Sequence, residues 1–232
     1  MINLNRNPLM WLSVRGLFSL LTIALILFVS AGTLYYPEAW LFLVTLSVIS
    51  MAFFIWLYKR HTSQLYNRLR PKEPDKTQRK LLVLIGFTLC SALVLSGLDR
   101  RFAWSPSAMW RYPMSVILLL FAVLIYIDVF TRNPFLSNTI EIHEKQNIIT
   151  TGSYGIVRHP MYLATILACA AGMCILGSLL NVPLFLIIVL LINLRIKHEE
   201  SQLLAALPEY GNYIAKVRHK LIPMFKLHVF SK

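Results

Sequence analysis

"MYLATILACAAGMCILGSLLNVPLFLIIVLLINL", from Met161 to Leu194, is apolar almost throughout. One membrane crossing takes about 20 such residues, so the stretch is long for a single helix. It is interrupted near its middle by "GSLLNVP", where Gly177 and Pro183 supply the residue types that end and restart helices. The pattern predicts two rather short antiparallel helices, a helical hairpin turning between Gly177 and Pro183. Ala168, Ala170, Ala171 and Gly172 in the first arm are small enough to let a neighbouring helix come close.

Working outward, four more apolar runs lie upstream. They are "GLFSLLTIALILFVSAGTL" (Gly16–Leu34), "AWLFLVTLSVISMAFFIWLY" (Ala39–Tyr58), "LLVLIGFTLCSALVLSGL" (Leu81–Leu98) and "PMSVILLLFAVLIYIDVF" (Pro113–Phe130). Each suits one span. The first lacks a small-residue cleavage site and reads as a retained span. The chain is 57% hydrophobic, with mean hydropathy +0.62. The fold class is therefore an all-α integral membrane protein of about six transmembrane helices. It forms one domain over residues 1–232, with four spans in 1–130 and a second region in 131–223.

Net charge is +13, but the basic residues flank apolar runs, as the positive-inside rule requires. That placement explains the charge without nucleic acid. The stretch Lys59–Lys80 holds eight Lys or Arg against two acids, which assigns it to the cytoplasm. Both termini then lie on the cytoplasmic side. The tail from His198 to about Val217 reads as an amphipathic surface helix on that side. Two polar clusters, Asn133–Tyr162 and Arg195 onward, bracket the hairpin and must meet at its foot.

Cys90, Cys169 and Cys174 lie inside apolar runs and read as small hydrophobes. No metal site is expected, because the histidines lack paired ligand spacing and "HEE" (198–200) is not the H-E-x-x-H zinc pattern.

The chemistry-bearing stretch is "TGSYGIVRHPMYLA", Thr151–Ala164. Arg158 and Pro160 suit a helix start at the interface, but His159, Tyr154 and Tyr162 are more than anchoring needs. On the returning helix "RIKHEE" sets Arg195 and Glu199 four apart, on one face. This is either a surface ion pair with snorkelling or a receptor for an anion at Arg195 and for a cation or hydroxyls at Glu199.

"TTGSYGIVRHPMYLA", then "EE..L" from Glu199, "Y..Y...V" from Tyr210 and "IP" at 222–223, together resemble the isoprenylcysteine carboxyl methyltransferase family and the related membrane phospholipid methyltransferases. The upstream "F.SNTIEIH" from Phe135 is similar too, and the resemblance covers roughly residues 130–223. It implies S-adenosyl-L-methionine as cofactor and methyl transfer at the cytosolic membrane face to a lipid or small lipophilic substrate. A prenylcysteine-type carboxylate is favoured, with a phospholipid amine or a thiol as alternatives. Carried onto this chain, it implies a cofactor site of His143, Gln146, Asn147, Ile148, Ile149, Tyr154, His159, Pro160, Met161, Tyr162 and Glu199. Arg195 becomes the residue that orients the acceptor. If the acceptor carries a proton, His159 or Glu200 are the candidate bases. A nicotinamide-dependent membrane reductase and a non-catalytic membrane scaffold remain as readings of the same architecture.

Overall fold

A computed structural model describes residues 8–60, 75–106, 108–133, 148–207 and 209–222. Among the described residues the chain is helical throughout, with no strand. The long helices are α1 (Pro8–Ala31), α2 (Pro37–Arg60), α3 (Lys76–Phe102) and α4 (Arg111–Arg132). A single turn, α5 (Ser153–Ile156), precedes α6 (Pro160–Leu176). A 3-10 turn at Leu179–Asn181 then leads into α7 (Val182–Ala206), followed by the short α8 (Tyr210–Lys216).

Among the described residues, five stretches are long and apolar enough to cross a membrane: Val14–Ala31 of α1, then α2, α3, α4 and Leu179–Ala206. The sixth apolar helix, α6, has only 17 residues. At 1.5 Å per residue it reaches about 25 Å, short of a hydrocarbon core of about 30 Å. Large apolar side chains such as Phe18, Val29, Val48, Phe87, Val116 and Leu186 face outward. An aqueous protein would bury them, and a lipid-facing one need not. Hydroxyls inside the spans return to their own helix, as Ser47 Oγ does to Leu43 O and Thr88 Oγ1 to Leu84 O. This satisfies them without water.

The packing divides the helices into two groups. α6 lies along α4 and also touches α2, whereas α7 lies along α3, which in turn packs on α1. The last two apolar helices therefore lean chiefly on the first half of the chain, and less on each other. Where α1 meets α3, a Cβ on Gly97 would sit 2.8 Å from Leu27 O and run into Ser30. Only a glycine permits this approach. At the far end from "RHP", the buried Arg111 guanidinium donates to Glu38 Oε1 at 2.9 Å and to Tyr112 Oη at 3.0 Å. That pair ties α2 to α4.

Two expectations change. The helices overrun the apolar runs at their ends, because α3 starts with the cap Asp75, whose Oδ1 accepts the Gln78 N–H at 2.8 Å. More importantly, no surface helix starts at His198. α7 continues unbroken through His198 to Ala206, and a separate short helix begins at Tyr210. The amphipathic stretch that suggested a surface helix is instead one helix packed on α3, then a break ahead of Tyr210.

Candidate active site

Pro160 opens α6, its ring supplying the fixed φ that a first helical residue needs. His159 stands at the N-cap and Arg158 just before it, and both are buried. They are not interfacial anchors. Their backbone N–H groups donate to the returning tail, Arg158 to His219 O at 2.9 Å and His159 to Lys220 O at 3.0 Å. Arg158 Nη1 also donates to Val217 O at 2.7 Å. The segment 217–220 is thus strapped across the start of α6.

One carboxylate holds this strap in place. Glu200 is buried. Its Oε1 receives Arg158 Nε at 2.7 Å and faces His159 Nε2 at 3.1 Å, while Oε2 pairs with Lys220 Nζ at 3.0 Å. A buried carboxylate is tolerated only with such partners. Glu200 and the Nε2 edge of His159 are therefore committed to each other and to the strap.

Glu199 points elsewhere, since successive helical residues are turned by about 100°. Its Oε2 accepts the Tyr162 O–H at 2.7 Å. The Arg195 guanidinium lies 5.5 Å from the centre of the Tyr162 ring, within cation–π range. Tyr162 itself is buried against Ile188, Ile192, Ile196 and Leu221. Tyr162, Arg195 and Glu199 thus form one group, with a carboxylate, a guanidinium and an aromatic face together at one end of the bundle.

Tyr154 is held from three directions. Asn133 Nδ2 donates to its hydroxyl at 2.9 Å, the Tyr213 O–H donates to its carbonyl at 2.7 Å, and its ring joins Met161 against Leu57, Val129 and Phe130. Burial, and after it the neighbouring Tyr154, push the Tyr213 hydroxyl up to about 12, so it stays a donor. Burial raises Tyr210 as well. Just upstream, Asp128 Oδ2 accepts the Ser153 N–H at 2.7 Å while Asp128 pairs with Arg132. Gly152 is at φ 62°, and a Cβ there would run into Arg132.

Of the residues picked from sequence, His159, Pro160, Tyr162, Arg195 and Glu199 come together where α6 starts and α7 passes. Tyr154 and Met161 sit beside them on the α2–α4 side. Ile148 packs against Tyr210, Tyr213 and Val217, and Ile149, next to it, is half-buried. His143, Gln146 and Asn147 lie outside the described residues. Arg158, Lys220 and Asp128 were not picked. For Asp128 the signal was there: an acid one turn before the end of an otherwise apolar span. No group of three or more His, Cys, Asp or Glu able to hold a metal occurs among the described residues.

Residues 114–205 match the isoprenylcysteine carboxyl methyltransferase (ICMT) family. The match begins in α4 and ends at the last turn of α7, so it takes in "RHPMY", Arg195 and Glu199 but neither α1–α3 nor the strap. It bears out the resemblance carried by the motif, over a region that starts earlier and stops sooner than the motifs themselves. The family is one of membrane methyltransferases, and the several apolar helices agree with a multi-pass membrane protein. No curated protein matches the chain.

Proposed function

We propose that this protein is a membrane-embedded methyltransferase that uses S-adenosyl-L-methionine and acts on a lipophilic acceptor, with a prenylcysteine-type carboxylate favoured. The observation that carries this is the Tyr162–Glu199–Arg195 group inside the ICMT match. The donor set fits the cofactor's chemistry. Glu199 suits an ammonium or ribose hydroxyls, the rings of Tyr162 and Tyr154 suit a cationic sulfonium, and Arg195 suits an anion.

When bound, S-adenosyl-L-methionine supplies an electrophilic methyl group carried on sulfur. The rest of the work belongs to the chain. Glu199, oriented by Tyr162, holds the cofactor together with His159, Pro160, Met161, Tyr154 and the residues 143, 146 and 147–149. Arg195 presents the acceptor through its planar fork. Alignment of this kind lowers a barrier by on the order of 7–11 kcal/mol without acid–base help. His159 and Glu200 are bound up with Arg158 and Lys220. That favours an acceptor bringing its own lone pair, a carboxylate, over an amine or thiol that must first lose a proton. In this reading the short α6, lengthened at its foot by the non-helical Val157–His159, crosses with the other five apolar helices, and the positive-inside rule assigns the basic stretch 59–80, both termini and the site to the cytosolic face.

The test is calorimetric titration of the detergent-purified protein with S-adenosyl-L-methionine and with NADPH. Binding of the former alone is expected. Binding of NADPH alone would move the chain to the membrane reductases. Binding of neither by folded protein would remove the cofactor assignment.

A further inference from the structure

Gln78 lies in the first turn of α3, outside the ICMT match, and is only 1% exposed. Its amide nitrogen is buried and has no hydrogen-bond partner among the described residues. A buried amide left unpaired is costly, so such a group calls for an explanation.

The packing of α3 on α7 says what lies opposite it. At one end Ser96 Oγ accepts from Asn181 Nδ2 at 2.6 Å. At the other, Asp75 Oδ2 faces His198 Nε2 at 2.7 Å and accepts from Gln202 Nε2 at 2.9 Å. The stretch of α3 from 75 to 96 and the stretch from 181 to 202 are equal in length, so the two helices run antiparallel in one constant register. In between, Ile85 packs into the cluster of Ile188, Ile192 and Ile196, as that register requires. Eighteen residues make about five full turns, which returns a side chain to the same face. Counted that far from Ser96 on α3, the position is Gln78. Counted that far from Asn181, the N-cap of α7, it is Glu199. The register therefore sets Gln78 opposite Glu199, with Arg195 one turn away on the same face.

We infer that Gln78 is a binding residue for the methyl donor, its amide nitrogen donating to an oxygen of the molecule held at Glu199. The inference rests on the proposed function. It adds a residue from the first half of the chain to a site that otherwise lies within or after the family match. It also supplies the buried Gln78 amide nitrogen with a partner.

The experiment uses S-adenosylhomocysteine, the demethylated donor, as probe. Its affinity is measured by calorimetry, and the melting temperature of the full-length protein in detergent is recorded with and without it, for wild type and Gln78→Leu. Leucine should weaken binding by about tenfold or more, as loss of a hydrogen bond to a charged or strongly polar group does. It should leave the ligand-free melting temperature unchanged or higher, because an unpaired buried amide has been removed. If leucine lowers that temperature, Gln78→Met, unbranched and close in length, takes its place. Unchanged affinity in either folded variant overturns the inference. If the wild-type protein itself fails to bind the probe, the proposed function falls first and the inference with it.

Discussion

Glu199 and Arg195 share one helix face and one tyrosine, yet the proposed function gives them different ligands. Glu199→Ala should abolish binding of S-adenosyl-L-methionine in calorimetry. Arg195→Ala should keep that binding and raise the acceptor KM instead. Equal loss of cofactor affinity in both variants would merge the two roles. The neighbouring Glu200 differs in kind. It is buried among Arg158, His159 and Lys220, and removing one partner of a buried ion pair costs about 3–5 kcal/mol. Glu200→Ala should therefore lower the melting temperature sharply, while Glu199→Ala, which strands only the Tyr162 hydroxyl, lowers it less. The "EE" pair was legible as chemistry in the sequence. The division of labour within it was not, because spacing does not tell which of two adjacent carboxylates meets the strap.

At the scale of the element, α7 is the helix whose reading changed most. Its polar third, from His198, has the look of a separate surface helix, but Asp75 at the cap of α3 holds His198 and Gln202. Asp75 is depressed to about 2, first by the His198 hydrogen bond and then by the Gln78 N–H. A carboxylate lowered in the folded state contributes stability above its unfolded value of about 4 and loses it as pH falls through the folded one. The protein should therefore lose stability between about pH 4 and 2, and Asp75→Asn should flatten that limb in a pH series of melting temperatures. An acid limb of the same steepness in the variant would assign it to other carboxylates. Helix periodicity finds such an element but not its end, because a helix continues wherever a neighbouring helix receives its polar face.

At the scale of the whole molecule, the group formed by α1, α3 and α7 depends on close backbone approach as well as on side chains. Gly97 makes the α1–α3 contact possible, with Leu27 O 2.8 Å from where its Cβ would be. Gly97→Leu should force these helices apart at an overpacking cost of about 1–3 kcal/mol or more. Its readout is a lower melting temperature without change in the family-matched residues. Gly86→Leu, at a glycine with open space around it, should be silent. By itself the sequence determined that the chain is helical and membrane-embedded, where its apolar helices lie, and which short motif carries the family resemblance. Hydrophobic length and local residue order suffice for these, since a bilayer permits few alternatives. Only the tertiary structure decided that α6 and α7 lean on α4 and α3, that Glu200 locks the strap, and that Asp75 receives His198 and Gln202. Those relations join residues up to 127 positions apart, and no period or spacing along one chain encodes which two helix faces will meet.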